Sequence, residues 1–175
     1  MTNITFTARQ TLQITATTAF IQEAHRGQKY NDMPYFFHPV EVADEVIKLI
    51  GEELGLTTFA PVSMWVVEAA LLHDVIEDTD YTADQLRDRF CDKVVDAVEL
   101  LTLDLGLPYL ENIQRIIDSG NETAMFVKLC DNRVNRRGDK SSFKPEKAQR
   151  LNDRYDASMV MLKEALYERG YRLNE

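Results

Sequence analysis

Apolar residues along this chain recur at helical spacing almost throughout, and the period-two alternation of strands is nearly absent. The pattern predicts helices at about 8–28, 39–54, 61–77, 82–90, 92–103, 108–119, 121–137 and 145–170. Several ends carry their own signals. Pro39 and Pro61 suit first helical turns, and Thr82 with Gln85 forms a capping-box pattern. Gly106 with Pro108, and then Ser119-Gly120-Asn121, break the periodicity, and Gly138 stops the seventh helix. Gln28 to Phe37 is the main irregular stretch, and the tail from Lys144 reads as one packing helix with Tyr155, Met159, Leu162 and Leu166 on a face. Without repeats or linkers, residues 1–175 read as one all-α domain, a bundle of about eight helices.

Composition narrows the class. With 45% hydrophobic and 28% charged residues, seven Gly and five Pro, the chain of 175 residues is an ordered globular protein. No window offers the roughly 18 uncharged apolar residues of a membrane span; the most apolar run, Phe59 to Ile76, is interrupted by Glu68 and by His73-Asp74. The N-terminus lacks the basic and apolar regions of an export signal. Two cysteines, Cys91 and Cys130, cannot form a disulfide framework; they read as small packing residues in a reducing cytoplasm. A net charge of −9 argues against a nucleic-acid partner. One local basic cluster stands out: Lys128, Arg133, Arg136, Arg137 and Lys140 surround Asp131 and Asn135. It fits a solvated face and an anion site equally well.

The chemistry concentrates in Leu71 to Thr79, where His73-Asp74 precede Glu77-Asp78 by one helical turn. On a continuous helix His73 lies over Glu77 and Asp74 over Asp78. A dry core does not tolerate such carboxylates without partners or a cation. An imidazole and three carboxylates delivered to one place suit a divalent ion and a water, hence metal-assisted hydrolysis. Two further segments carry polar residues that a plain bundle does not need. One runs from Ala24 through His25 to His38-Pro39; the other is Val127 to Arg137, with Lys128, Asp131 and Asn135 at i, i+3 and i+7. His25, within the first helix, reads as a structural core histidine.

Three motifs in order, A-H-x-G-Q…P-Y-x-x-H-P, A-L-L-H-D-V-x-E-D-T and V-K-L-x-D-x-x-x-N-x-R, resemble the HD-domain phosphohydrolases. The likeness is to the hydrolase domain of RelA/SpoT-type alarmone enzymes and their small stand-alone relatives, and it covers about Ala24 to Arg137. It implies an HD-domain bundle in which His38, His73, Asp74 and Asp131 hold one divalent ion, usually manganese in that family. Mixed imidazole and carboxylate ligands also suit Fe²⁺ or Zn²⁺. Glu77 and Asp78 match the acidic pair that handles the attacking water. The implied substrate is a guanosine tetra- or pentaphosphate, (p)ppGpp, cleaved to GDP or GTP and pyrophosphate. Lys128 and Arg137 match positions that meet phosphate, Asn135 one that bonds ribose or phosphate, and Tyr109 one that faces the nucleotide. After Gly27-Gln28 the chain departs from the family, with Lys29-Tyr30-Asn31-Asp32-Met33 in place of the usual basic residues. Lys29 and Tyr30 are assigned to substrate, and the departure keeps other nucleotides in view, among them NADPH as a 2′-phosphatase substrate and 5′-deoxynucleotides. A catalytically silent nucleotide-binding module is the alternative from another class. The oligomeric state is left open, a homodimer included.

Overall fold

A computed structural model describes residues 5–30, 32–55 and 61–173. Thr7 and Gln10 close a reciprocal capping box that starts α1 (Ala8–Ala24). The expected continuation to residue 28 does not occur, because Gly27 turns the chain with a φ of +83°. A two-residue antiparallel ladder follows, β1 (Lys29–Tyr30) pairing with β2 (Met33–Pro34), with Asp32 in the left-handed region between them. Segments this short leave no periodicity to read in the sequence. Next come α2 (Phe37–Lys48), which loosens into a π-helical turn over Leu49–Glu53, and α3 (Pro61–Leu72). The connection at residues 56–60 and the N-terminal Met-Thr-Asn-Ile lie outside the described residues.

The expected single helix over 61–77 is two: α3 ends at Leu72, and α4 (Val75–Asp78) follows after His73 and Asp74. Then come α5 (Ala83–Arg87), α6 (Asp92–Leu101), α7 (Tyr109–Asp118), α8 (Glu122–Arg137) and α9 (Pro145–Glu168). The Thr82–Gln85 capping box forms as the sequence predicts, and Asn121 caps α8 through the Ala124 N–H. All-α architecture is borne out.

α3 sits at the centre, packed against α1, α2, α6 and α8, while α8 also carries α9 along its length. This follows from sequence: α3 is apolar all round, so it has no face to give to water. Val67, Ala69, Ala70 and Leu72 are fully buried, as are Leu129 on α8 and Leu162 and Leu166 on α9. Cys130 is buried as expected, whereas Cys91 is exposed at the start of α6, its packing role overridden by its place at a helix N-cap.

Glu68 is the exception on α3, a buried carboxyl that accepts from the Thr17 hydroxyl at 3.3 Å. Burial raises its pKa, and hydrogen bonds from Gln13 and Thr17 only partly offset this. A carboxyl raised in the fold supports stability most while protonated, and that support is lost as pH climbs through the raised value. Glu68→Gln should therefore raise the melting temperature at neutral pH, with the gain fading toward about pH 4. Thermal unfolding of both proteins across that range checks this.

Candidate metal centre

The break between α3 and α4 makes the site. With the ladder interrupted, His73 turns its Nδ1 onto the Ala70 carbonyl at 2.7 Å. That contact commits Nδ1 to a proton, so Nε2 is the nitrogen left to take a second proton or a cation. Nε2 is buried and makes no hydrogen bond, although it stands 3.0 Å from Asp74 Oδ2. From α2, His38 brings Nε2 to 3.7 Å from the same oxygen, and His38, His73 and Asp74 form a group able to hold an ion. Asp131, in the third turn of α8, sets Oδ1 at 3.3 Å from His38 Nε2 and 3.8 Å from His73 Nε2. His38, His73 and Asp74 from two distant segments thus converge, and Asp131 from a third sets its carboxylate against both imidazoles. An orphaned imidazole nitrogen facing carboxylate oxygens is a donor set that fits a divalent cation with mixed N/O preference.

Electrostatics bind the cluster together. Burial disfavours charge at His73, but the Asp74 and Asp131 carboxylates overrule it and lift the group to about 9. Burial likewise opposes ionisation of the two aspartates, and they are nonetheless held low, Asp74 by His73 and Asp131 by Lys128 and then His38. Lys128 is itself buried, with Nζ 2.9 Å from Asp131 Oδ2 and the Tyr109 ring 5.8 Å away. Asn135 donates from Nδ2 to Asp131 Oδ1 at 2.5 Å and accepts from the Tyr30 hydroxyl at 3.2 Å. The Tyr30 ring stacks on His38 with centroids 4.9 Å apart.

Glu77 and Asp78 lie exposed at the rim. The continuous face expected from a single helix is replaced by a short one, in which the Asp78 N–H still reaches the Asp74 carbonyl at 2.8 Å. Glu77 Oε2 accepts from the Leu103 N–H at 3.0 Å. Although Glu77 is open to solvent, its carboxyl is partly desolvated by the surrounding protein, which raises its pKa; the Leu103 N–H opposes the shift, and the nearby Asp74 charge adds to it.

The remaining sequence-assigned residues divide. Tyr109 is half-buried at the start of α7, its hydroxyl on Asn132 at 2.6 Å and the Arg154 guanidinium 4.3 Å above its ring. Lys29 is exposed on the hairpin. Arg137 is not directed at the cluster; it pairs with Glu45 at 2.6 Å beside a groove of about 350 Å³. The other cationic side chains of the cluster are engaged within the protein. Arg133 pairs with Glu53 at 2.6 Å, Arg136 with Asp156 at 2.9 Å, and Lys140 takes the terminal carbonyls of α8. His25 is buried against Gln28 and Tyr35, outside the ion-holding group.

Sequence reasoning passed over Tyr35. Its hydroxyl donates to Asp74 Oδ2 at 2.7 Å, and burial, then Asp74 and Asp78, hold its pKa far above the ordinary phenol value. Tyr35 lies in the turn before α2, where its carbonyl accepts from the His38 N–H at 2.9 Å, and no periodicity in the sequence marks it.

An all-α bundle that gathers two histidines and an aspartate in this way is an HD-type hydrolase fold. No protein-family profile matches the chain. It is 34% identical over 154 residues to a zebrafish (Danio rerio) protein, guanosine-3′,5′-bis(diphosphate) 3′-pyrophosphohydrolase MESH1, covering 83% of this chain and 80% of that one. Human MESH1 is 34% identical over 131 residues, with 71% and 68% covered. A Haemophilus influenzae enzyme of the same activity name is 31% identical over 140 residues, 74% of this chain but 19% of that longer protein. The fold matches a solved metazoan ortholog of SpoT with a TM-score of 0.64 at 22% identity, over 95% of this chain and 98% of that one. The chain belongs to the guanosine-3′,5′-bis(diphosphate) 3′-pyrophosphohydrolase family typified by MESH1.

Proposed function

We propose that this protein is a metal-dependent phosphohydrolase that removes the 3′-diphosphate of (p)ppGpp in the cytoplasm, giving GDP or GTP and pyrophosphate. The convergence of His38, His73, Asp74 and Asp131, with Glu77 at the rim, carries the reading. Those four residues hold one divalent ion, Mn²⁺ in the first instance, with Fe²⁺ and Zn²⁺ also suited to the donors. When bound, the ion supplies Lewis acidity and lowers the pKa of water beside the 3′ phosphorus.

The protein's own residues do the rest. Glu77, its basicity raised by partial desolvation, takes the proton from the attacking water, while Asp78 orients that water. A new oxygen–phosphorus bond forms, the bond from phosphorus to the ribose 3′ oxygen breaks, and the proton taken by Glu77 is returned, directly or through water, to that oxygen, which leaves as the free 3′-hydroxyl. Lys128 offsets the Asp131 charge and presents its remaining N–H groups to phosphate. Tyr109 and Lys29 border the nucleotide's approach, whereas Asn135 and Tyr30 position Asp131 and His38. Arg137 reaches phosphate only by leaving Glu45.

The test is product analysis with Mn²⁺-loaded protein offered ppGpp, NADPH and deoxynucleoside monophosphates in parallel. Pyrophosphate and GDP from ppGpp are expected. Orthophosphate from NADPH or a deoxynucleotide, with ppGpp intact, would move the substrate and keep the chemistry. No turnover of any of them would leave a nucleotide-binding module.

A further inference from the structure

We propose that Tyr35 is a positioning residue of the metal centre, its hydroxyl fixing the Asp74 oxygen that faces the cation. The inference rests on the metal reading above and adds a residue to it. Asp74 stands between two helices, where the backbone ladder does not hold it from both sides. Its Oδ2 is the oxygen that approaches His73 Nε2 at 3.0 Å and His38 Nε2 at 3.7 Å. That same oxygen accepts from the Tyr35 hydroxyl at 2.7 Å. A carboxylate free to rotate would exchange its two oxygens; one pinned by a donor presents a fixed oxygen to an ion.

The phenol is itself anchored. The Tyr35 N–H bonds the Gln28 carbonyl at 3.0 Å, and its ring packs on His25 with centroids 4.8 Å apart. His25 Nδ1 meets Gln28 Oε1 at 2.8 Å, and Gln28 Nε2 donates to the Asp78 carbonyl at 2.5 Å. The buried His25, which the chemistry does not use, thereby acquires a purpose. It props the tyrosine that holds Asp74, and Gln28 ties the same assembly to the far end of α4.

Tyr35→Phe tests this, because the ring that packs on His25 is kept and only the hydroxyl goes. Partners in this position typically matter by about 10–100-fold in metal affinity or activity. Calorimetric titration with Mn²⁺ should show affinity at least about tenfold weaker than wild type. With Mn²⁺ saturating, kcat for ppGpp should fall while KM stays within about twofold, a split that a general loosening of the fold does not produce. Wild-type protein that binds Mn²⁺ and a variant that binds it equally well, with equal kcat, would overturn the role of Tyr35 alone. Failure of the wild type to bind Mn²⁺ would overturn the metal reading and this inference together.

Discussion

Asp131→Ala is expected to abolish metal binding and hydrolysis, and to cost the fold about 3–5 kcal/mol as well. Asp131 is the hub of the cluster: Oδ1 faces both imidazoles and takes the Asn135 amide, while Oδ2 takes Lys128. Its removal deprives a cation of one of two carboxylates and strands the Lys128 ammonium in a buried site. An unpaired buried charge is more damaging than the absence of the whole pair. The two losses can therefore be separated. Asp131→Ala with Lys128→Met should recover much of the stability in urea melts and none of the activity. Retention of Mn²⁺ by Asp131→Ala, measured on dialysed protein, would remove Asp131 from the ligand set.

Glu77→Gln should do the opposite, keeping the metal and losing the rate. A glutamine keeps an oxygen that can accept from the Leu103 N–H, so the local backbone holds. What it lacks is a basic site for the water proton, a loss worth about 10²–10⁴ in kcat for a general base. Mn²⁺ stoichiometry near that of wild type together with such a fall is the expected pair of results. Turnover at the wild-type level would pass the role to Asp78 or to solvent.

How much of this was legible beforehand depended on the kind of signal. The central helix and the long α8 and α9 announced themselves through apolar periodicity, and the histidine and aspartate pairs through polar residues where a core helix needs none. The interruption at His73-Asp74 was hidden, because nothing in Leu-Leu-His-Asp-Val-Ile is a helix breaker; tertiary demand on those two side chains overrides local propensity. The basic cluster was ambiguous for a different reason. Its carboxylate partners Glu45, Glu53 and Asp156 lie far off in sequence, so the sequence could not show that Arg133, Arg136 and Arg137 are already paired within the protein. The hairpin tyrosines were invisible as supports because their partners, Asp74 and Asn135, are 39 and 105 residues away.

The end of α3 has a consequence for acid–base control. The last carbonyls of a helix have no ladder partner, and Ala70 belongs to that last turn. His73 uses one of them to park its proton. Which nitrogen of His73 faces the carboxylate cluster is thus inherited from where the backbone stops spiralling, with no dedicated side chain recruited to set it. A substitution that let the spiral run one turn further would rewire the imidazole without touching it.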